Sequence, residues 1–397
     1  MKKVSLSMIG GGFAAHLHGR CFAQLGRIDL RLRGIATTRI STAKPIADQY
    51  GYEYCTDNYK EVLEDKETDI IFVNTPPVLH SDMIIEALEA GKHVICEKPL
   101  TGYFGMPGDG ELFGETVPKE KMYRKIVEDL HRIQNAIEKS GKKFMYAENY
   151  IYAPNIQKAA EIIQAKKSTV LFMRGELTVQ GSPSQFAGTW KNAGGGPLMR
   201  IGCHPLGGML WLKKNEAAAK GETITVKSVL ADTGKIGPGL PADQRRHLKA
   251  SPQDVEDFAS MTVTFSDGTK AMVIANDNVL GGLRNYVEIF SNDNTMICRI
   301  TPNDYMESFF LDDEGLGDIY LAEKLENKLG WNSIAAAENV VRGYAPQLQD
   351  FLECVAYDRQ PLSDFALAAE VTRLVYAGYV SAERGARVNL DALEVEE

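Results

Sequence analysis

The stretch V-S-L-S-M-I-G-G-G-F-A-A, residues 4–15, decides the fold predicted for this chain of 397 residues. Its first half is an apolar run typical of a strand, its second half fits the pattern G-x-G-x-x-G/A, and a segment with helical spacing follows. In this pattern Gly10 makes a tight turn, Gly12 lets the backbone approach a pyrophosphate, and Ala15 lets the helix pack on the strand. Glycine-rich turns are common, so the weight of the pattern comes from its place between a strand and a helix. The stretch predicts a dinucleotide-binding βαβ unit.

The second predicted strand, residues 30–37, bears on which dinucleotide is bound. NAD sites ordinarily carry Asp or Glu near this point to hold the ribose 2′-hydroxyl, but the chain reads A-T-T-R at residues 36–39. Arg39 could pair with the 2′-phosphate of NADP or could be solvated, and Thr38 could hydrogen-bond a ribose hydroxyl. The sequence therefore predicts NAD or NADP without deciding between them.

A further βαβ unit ends in residues that carry chemistry. A buried-type strand at residues 69–73 is stopped by N-T-P-P, a helical stretch covers residues 83–90, and the apolar strand at residues 94–96 runs into Glu97 and Lys98. Parallel strands present their carboxyl ends at one edge, where open α/β sheets bind ligands. The fold class is therefore α/β with a doubly wound parallel sheet, and Glu97 and Lys98 are predicted to lie at its binding edge.

These residues resemble the glucose-fructose oxidoreductase / inositol dehydrogenase (Gfo/Idh/MocA) family. The resemblance rests on G-G-G-F-A-A at 10–15, N-T-P-P at 74–77 with His80, A-G-K-H-V at 90–94 before E-K-P at 97–99, G-G-G at 194–196 before G-C-H at 202–204, and the stretches around 350–352, Pro361 and 377–381. It implies an N-terminal Rossmann domain, a C-terminal α/β domain whose open, mostly antiparallel sheet often mediates oligomers, and hydride exchange between a nicotinamide and a sugar-like carbinol.

The domain division follows from the same reading. Residues 1–148 are predicted to form the Rossmann domain, with an insertion at 101–120, and residues 149–397 the substrate-binding and oligomerisation domain, whose last helices pack back on the first. Strands are predicted at 169–179, 223–230, 259–265, 270–275 and 286–290, with a hairpin turn at 266–269. A sheet with one free face needs polar side chains or a partner, so a homo-oligomer, a dimer, tetramer or larger, is expected.

Lys98 and His204 are the predicted catalytic pair. Removal of hydride from a secondary alcohol leaves a protonated carbonyl, so the hydroxyl proton must pass to a base. Histidine titrates in the right range for that base, and a lysine beside the nicotinamide can stabilise charge that develops on the reacting oxygen.

The other expected contacts follow the family pattern and the sheet edge. The residues expected to bind the cofactor are Gly10, Gly12, Phe13, Ala14, Thr38, Arg39, Asn74, Thr75, Pro76, His80, Glu97, Lys98 and Asn149. Those expected to bind substrate are Lys98, Tyr152, Trp190, Arg200 and His204. Tyr152 could instead be core and Asn149 could cap a helix.

The chain departs from the family pattern on both sides of His204. Polyol dehydrogenases of the family often carry aspartate four residues before the histidine and three residues after it, where this chain has Arg200 and Gly207. Arginine cannot orient a histidine as a carboxylate does. The hypothesis is that Arg200 recognises a carboxylate or a polar group of a sugar that bears an aglycone.

The insertion is rich in glycine and proline and leaves directly from Lys98-Pro99. Long irregular loops in compact domains are often lids or binding loops. The prediction is a substrate-covering or subunit-contacting loop, with a tolerated surface excursion as the alternative.

Composition excludes several other classes. The net charge of -9 argues against nucleic acid as a partner, and the six scattered cysteines give no zinc pattern. The acidic residues Asp254, Glu256 and Asp257 are interpreted as a solvated loop and not as a metal site, so no metal is expected. No apolar stretch approaches the ~20 residues of a membrane span and the N-terminus lacks a signal peptide, so a cytoplasmic protein is expected.

The sequence thus predicts an NAD(P)-dependent oxidoreductase acting on a hydroxyl of a sugar, glycoside or cyclitol. One alternative is an enzyme that keeps its cofactor bound and uses transient oxidation to eliminate or hydrolyse a glycosidic bond. The other is a non-catalytic regulator that senses the nicotinamide pool, which would have no need of Lys98 beside His204.

Overall fold

The first half of the chain forms a six-stranded parallel sheet with helices on both faces. The computed structural model describes residues 1–301, 306–314, 316, 321, 327–334 and 337–395. In chain order the elements of this half are β1 (Lys2–Ile9), α1 (Phe13–Phe22), β2 (Ile28–Ala36), α2 (Ile40–Tyr50), β3 (Tyr54–Thr56), α3 (Tyr59–Glu64), β4 (Ile70–Val73), α4 (His80–Glu89), β5 (His93–Cys96), α5 (Lys119–Ser140) and β6 (Phe144–Tyr146). The strand order β3-β2-β1-β4-β5-β6 confirms the predicted doubly wound sheet.

The order in which the strands are added to this sheet reverses between β1 and β4, and ligands bind at such a switch point. The four residues of β4 are fully buried, as expected for a parallel strand covered by helices on both faces. At the carboxyl ends of β1, β4 and β5 lie Gly10, Asn74 and Glu97, and Glu148 follows β6 by two residues. These four positions therefore share one edge of the sheet.

The second half is built on a seven-stranded mixed sheet. Its elements are α6 (Pro154–Lys166), β7 (Val170–Thr178), α7 (Trp190–Ala193), α8 (Cys203–Lys220), β8 (Val226–Gly234), β9 (Phe258–Phe265), β10 (Lys270–Asn276), β11 (Arg284–Ser291) and β12 (Thr295–Arg299), followed by a separate pair, β13 (Glu307–Phe310) and β14 (Gly330–Ser333). The order in the large sheet is β12-β11-β7-β10-β9-β8-β15, where β15 is Val388–Asn389, and only the β7–β10 pair is parallel. The mostly antiparallel sheet and the turn between β9 and β10 agree with the sequence prediction.

One face of the mixed sheet is covered and the other is open. Residues of β9, β10 and β11 alternate between buried and partly exposed, and α8 and α11 (Phe365–Arg384) pack on the buried face. The open face carries apolar side chains such as Leu171 and Ile297, each about half exposed. The homo-oligomer expected from such a face remains a prediction.

The last helices return to the first domain. They are α9 (Glu338–Val341), α10 (Tyr344–Ala356), α11 and α12 (Leu390–Val395). α10 packs against α1 and β1, and α11 packs against α5. We keep 148/149 as the proposed domain boundary, since β6 has ended there. Among the described residues, no helix combines the length and apolar character needed to span a bilayer.

The insertion packs on the second domain and does not line the cleft described below. The Tyr103 amide donates to the Tyr376 hydroxyl (2.6 Å), and the Gly114 amide donates to Asp254 (2.8 Å). Phe113 is buried under Tyr103, whereas residues nearer the tip, such as Met106 and Leu112, are exposed. The expectation of a substrate-covering loop is corrected, because the apolar side chains that begin and end the insertion draw it against α11 and the segment around Trp190.

Candidate active site

A cleft of about 600 Å³ lies between the carboxyl edge of the first sheet and the second domain. Seven of the predicted site residues line it: Phe13, Ala14, Glu97, Lys98, Asn149, Arg200 and His204. The opposite wall is mainly apolar and is formed by the end of β7, the loop that follows it and Leu283. The cleft therefore brings together residues that are more than a hundred positions apart in the sequence.

Lys98 crosses the cleft and binds the second domain. Its Nζ donates to the carbonyl oxygen of Arg200 (2.7 Å), while its own amide donates to the Glu97 carboxylate (2.9 Å). Arg200 belongs to a π-helical turn, Leu198–Gly202, that continues directly into α8. Such turns are frequent at functional sites. Within the part of the chain that the structure describes, this carbonyl oxygen is the one acceptor of the ammonium, which leaves two of its three protons for a ligand.

Glu97 forms a buried pair with His18 of α1, a residue that the sequence analysis did not single out. His18 Nε2 lies 2.6 Å from Glu97 Oε1, and its ring packs 4.7 Å from that of Phe72. Burial alone would raise the pKa of Glu97, but the hydrogen bond from His18 and the charge of Lys98 hold it below its ordinary value. Glu97 is therefore an anion beside Lys98. The one sequence signal for His18 is a polar residue on the buried face of α1.

His204 is oriented by Glu148. Its Nδ1 lies 2.8 Å from Glu148 Oε1, and its ring stacks on Tyr150 with 5.1 Å between the ring centroids. Among the described residues its Nε2 has no hydrogen-bond partner, and the ring borders the cleft. The sequence signals for Glu148 are its place after the last strand of the Rossmann sheet and the family resemblance of the segment that it begins.

The same pair explains why Gly207 stands where the resemblance led us to expect aspartate. A Cβ atom at residue 207 would lie 3.1 Å from Glu148 Cγ, a tight contact that would require the carboxylate side chain to shift. The glycine gives room to the carboxylate that binds His204. The carboxylate expected near the histidine in sequence is therefore supplied from the other domain.

Burial opposes charge on both members of this pair. It lowers the pKa of His204 well below its ordinary value, and the charges of Lys98 and Arg342 act in the same direction. Burial also raises the pKa of Glu148 well above its ordinary value. Glu148 Oε2 is buried without a hydrogen-bond partner among the described residues. The pair consequently favours a neutral imidazole over an imidazolium.

Arg200 and Arg342 add two guanidinium groups to the cleft. The Arg200 side chain forms an ion pair with the buried carboxylate of Asp277, so its charge is balanced within the protein. Arg342 was not predicted from the sequence. Its guanidinium lies over the Tyr344 ring, 5.3 Å from the ring centroid, and its backbone carbonyl oxygen accepts a hydrogen bond from the Asn149 side-chain amide (2.6 Å). Substrate recognition by Arg200 stays a prediction.

The edge predicted to hold a dinucleotide has the expected backbone and unfilled polar groups. Gly10 has φ +110°, and a Cβ there would lie 2.4 Å from the Asn74 carbonyl oxygen, so only glycine fits. A Cβ at Gly12 would meet no protein atom, which leaves open space before the first amides of α1. The Asn74 amide group and Thr75 Oγ1 are buried without hydrogen-bond partners among the described residues. These features fit a bound dinucleotide.

Three of the expected contacts are enclosed by protein, away from the cleft. The His80 ring is fully buried and bridges the carbonyl oxygens of Pro99 (2.8 Å) and Thr75 (2.9 Å), so it joins two strand ends instead of binding cofactor. The Tyr152 hydroxyl donates to Asp350 (2.7 Å) inside the core. Trp190 is buried against Tyr379, with 4.8 Å between ring centroids. These expectations are corrected, because side chains that are closed in by protein cannot meet a ligand in the cleft.

Pro76, Thr38 and Arg39 stay predicted cofactor contacts at the same sheet edge. Pro76 follows Thr75, and Arg39 is exposed at the start of α2 with Thr38 before it. Among the described residues, Glu148, Cys203 and His204 form the one cluster with spacing suited to a metal ion. Burial raises the pKa of the Cys203 thiol to about 12, which disfavours the thiolate that a metal needs. We assign no metal to this cluster.

Comparison with known proteins identifies both halves of the chain. Residues 4–106 match the GFO/IDH/MocA profile described as an oxidoreductase family with an NAD-binding Rossmann fold, and residues 156–296 match the GFO/IDH/MocA C-terminal domain. Levoglucosan dehydrogenase of Pseudarthrobacter phenanthrenivorans is 24% identical over 79% of this chain and 78% of its own length. D-glucoside 3-dehydrogenase of Escherichia coli is 26% identical over 66% of this chain and 67% of its own.

Solved structures share the whole fold. GenD2 from gentamicin A biosynthesis, in complex with NAD, has a TM-score of 0.76 at 20% identity and covers 98% of this chain and 97% of its own. Levoglucosan dehydrogenase in complex with NADH and levoglucosan has a TM-score of 0.72 at 20% identity, covering 98% of this chain and all of its own (100%). At this identity the likeness establishes the fold.

Proposed function

The chain belongs to the GFO/IDH/MocA family of NAD-binding oxidoreductases, and on that premise we propose that it oxidises a secondary hydroxyl of a sugar, glycoside or cyclitol. The observation that carries the proposal is the junction of Lys98 with the turn that leads to His204. One hydrogen bond, from Lys98 Nζ to the Arg200 carbonyl oxygen, ties the ammonium of one domain to the segment that carries the imidazole of the other. An amine and a neutral imidazole therefore border one cleft.

The two side chains have separate tasks in this reaction. The unpartnered Nε2 of His204 accepts the hydroxyl proton of the substrate, because Glu148 holds the proton of the imidazole on Nδ1 in the reactive state. The ammonium of Lys98 donates to the reacting oxygen and stabilises negative charge there. In the reverse direction the imidazole returns the proton to the carbonyl oxygen.

A nicotinamide, when bound, supplies the hydride acceptor. Gly10, Gly12 and the first turn of α1 would hold its pyrophosphate, and the free polar groups of Asn74 and Thr75 lie on the same edge. Phe13, Ala14 and Asn149 border the cleft nearby. Both NAD and NADP fit these residues, since the three residues directly after β2, Thr37, Thr38 and Arg39, include no carboxylate.

The proposed substrate class follows the relatives and the cleft. The named relatives act on levoglucosan and D-glucoside, and Arg200, which lines the cleft, offers hydrogen-bond donors for sugar hydroxyls. The apolar wall opposite, with the exposed ring of Phe186, suits the carbon face of a sugar ring or an aglycone. We propose a glycoside or modified sugar ahead of inositol.

The test is a cofactor and substrate screen with a matched pair of variants. Mass spectrometry of the purified protein identifies retained NAD or NADP, and nicotinamide fluorescence then follows turnover with sugars, glycosides and cyclitols. We expect Lys98→Met to abolish turnover while cofactor binding is kept, and Lys44→Met, at an exposed lysine of α2, to leave both unchanged.

Other outcomes separate the alternatives. Cofactor binding without turnover on any sugar favours the sensing regulator. Release of the aglycone without net nicotinamide reduction favours the enzyme that oxidises its substrate transiently.

A further inference from the structure

Three acidic residues that the sequence analysis interpreted as a solvated loop are buried. Asp254, Glu256 and Asp257 are each less than a tenth exposed, directly before β9. Each accepts two or more hydrogen bonds, mainly from backbone amides: Asp254 from Gly114 and Trp190, Glu256 from Gly196 and Leu198, and Asp257 from Ile236 and Gly237. The interpretation is corrected, because carboxylates that bind amides in this way organise the surrounding loops.

Glu256 binds the segment that leads into the active site. Its Oε2 accepts from the Gly196 amide (2.9 Å), and its Oε1 accepts from the Leu198 amide (3.1 Å) and the Tyr379 hydroxyl (2.9 Å). The first amides of a helix have no partner within the helix, and a carboxylate satisfies them and suits the helix dipole. Glu256 therefore fixes the beginning of the turn Leu198–Gly202.

The glycines before this turn are explained by the same carboxylate. A Cβ at Gly196 would lie 2.1 Å from the Glu256 carbonyl oxygen and 2.5 Å from its Cδ. Gly195 has φ +146°, and a Cβ there would lie 2.3 Å from the Tyr379 hydroxyl. The run of three glycines thus lets the backbone lie directly against Glu256 and Tyr379.

A short chain of contacts connects Glu256 with the reacting groups. Gly196, whose amide binds Glu256, accepts the Arg200 amide on its carbonyl oxygen (3.0 Å). The Arg200 carbonyl oxygen in turn accepts from Lys98 Nζ (2.7 Å), and His204 follows one helical turn later. A shift of the turn would move the acceptor of Lys98 and the imidazole together.

We propose that Glu256 is a positioning residue for the reaction: by holding the amides of Gly196 and Leu198 it sets the distance between Lys98 and His204. Glu256 does not line the cleft in which substrate and cofactor are proposed to bind. It acts through the turn alone. The inference rests on the proposed function, since it concerns the catalytic pair named there.

Asp257 provides a matched control. It is fully buried and binds two backbone amides, of Ile236 and Gly237, each at 2.7 Å, in a turn that does not line the cleft. Both Glu256→Gln and Asp257→Asn replace one carboxylate oxygen with an amide that cannot accept. The two variants therefore lose the same kind of contact, and only Glu256→Gln loses it beside the active site.

The experiment compares kcat, KM, cofactor affinity and melting temperature in the two variants. We expect Glu256→Gln to lower kcat by about 10- to 100-fold, because displacement of reacting groups by a fraction of an ångström has effects of this size. KM and the Kd for cofactor should stay within about threefold of the wild-type values, since the contacts that bind substrate and cofactor in the ground state are kept. Asp257→Asn should lower the melting temperature by about as much as Glu256→Gln does. Its kcat should stay within about twofold of the wild-type value.

The outcomes are separable. A Glu256→Gln variant that differs from Asp257→Asn in no kinetic parameter overturns the inference while leaving the proposed function intact. A wild-type protein that turns over no sugar contradicts the proposed function itself. If Glu256→Gln does not fold, Tyr379→Phe removes one of the three donors, and we expect a kcat lower by about threefold, whereas an unchanged kcat overturns the inference.

Discussion

At the scale of single residues, the site depends on carboxylates that come from distant parts of the chain. Lys98 and His204 could be predicted from the sequence, because each lies in a short motif, E-K-P at 97–99 and G-C-H at 202–204. The sequence does not show that Glu148 is the partner of His204, since 56 residues separate them and the contact forms only when the two domains meet. In the sequence, Arg200 and Gly207 stand where the family pattern has aspartates beside His204. In the fold, the Arg200 carbonyl oxygen binds Lys98, and Gly207 leaves room for Glu148.

The Glu148 contact makes a prediction about pH. Oxidation needs His204 with its proton on Nδ1, and this state forms when the His204–Glu148 pair holds one proton and not two. In Glu148→Gln the amide can donate to Nδ1 and leave the proton on Nε2, so we expect kcat for oxidation to fall by at least about 10²-fold. The acidic limb of the pH profile should also move to lower pH, because burial and Lys98 lower the pKa of the isolated His204.

The matched control is Glu216→Gln, a buried carboxylate that binds Lys213 (2.7 Å) and does not line the cleft. Its pH profile should retain the wild-type acidic limb. A Glu148→Gln variant with the wild-type limb and kcat would show that Glu148 does not orient the imidazole.

At the scale of elements, the strands were predictable and the surroundings of the loops were not. The predicted Rossmann strands and the main strands of the second sheet agree with the structure to within a few residues, because apolar runs and turn residues bound them locally. The insertion could be located by its composition, but its direction depends on where Tyr103 and Phe113 find apolar neighbours. The wrong expectations for Tyr152 and Trp190 have a similar cause, since the sequence pattern of an aromatic residue that binds a ligand is the same as that of one in the core.

The exposed tip of the insertion supports a prediction about its role. Met106 and Leu112 are roughly half exposed and do not line the cleft, so the double change Met106→Ser and Leu112→Ser should leave KM within about twofold. The subunit contact predicted from the sequence would make the same variant dissociate at higher concentration than the wild type. Light scattering after size exclusion measures the mass, and steady-state kinetics measures KM.

The single change Leu329→Ser, at another exposed leucine outside the insertion, is the control. A raised KM with an unchanged mass would restore the substrate-covering role. An unchanged KM with an unchanged mass would leave the tip as a surface excursion.

At the scale of the whole molecule, buried carboxylates connect activity with stability. The cleft lies between two sheets, and the return of α10 and α11 to the first domain brings the second domain against it. Glu256 and Glu148 are buried in this region, and burial raises the pKa of both, although the charge of Lys98 opposes the rise at Glu148. The pKa of Glu256 rises to about 7 although three hydrogen bonds favour its ionised form. The arrangement that positions the turn therefore has an energetic cost that depends on pH.

The raised pKa of Glu256 makes the stability of the folded protein depend on pH. Between its ordinary pKa of 4.5 and about 7, the folded chain holds a proton on Glu256 that the unfolded chain has released. Stability must then fall as pH rises through this window, by at most about 1.4 kcal/mol per pH unit for one proton. We expect the wild type to lose urea stability relative to Glu256→Gln from pH 5 to pH 7, with the difference constant above pH 8. Measured midpoints that differ by the same amount at every pH would show that Glu256 ionises normally in the folded protein.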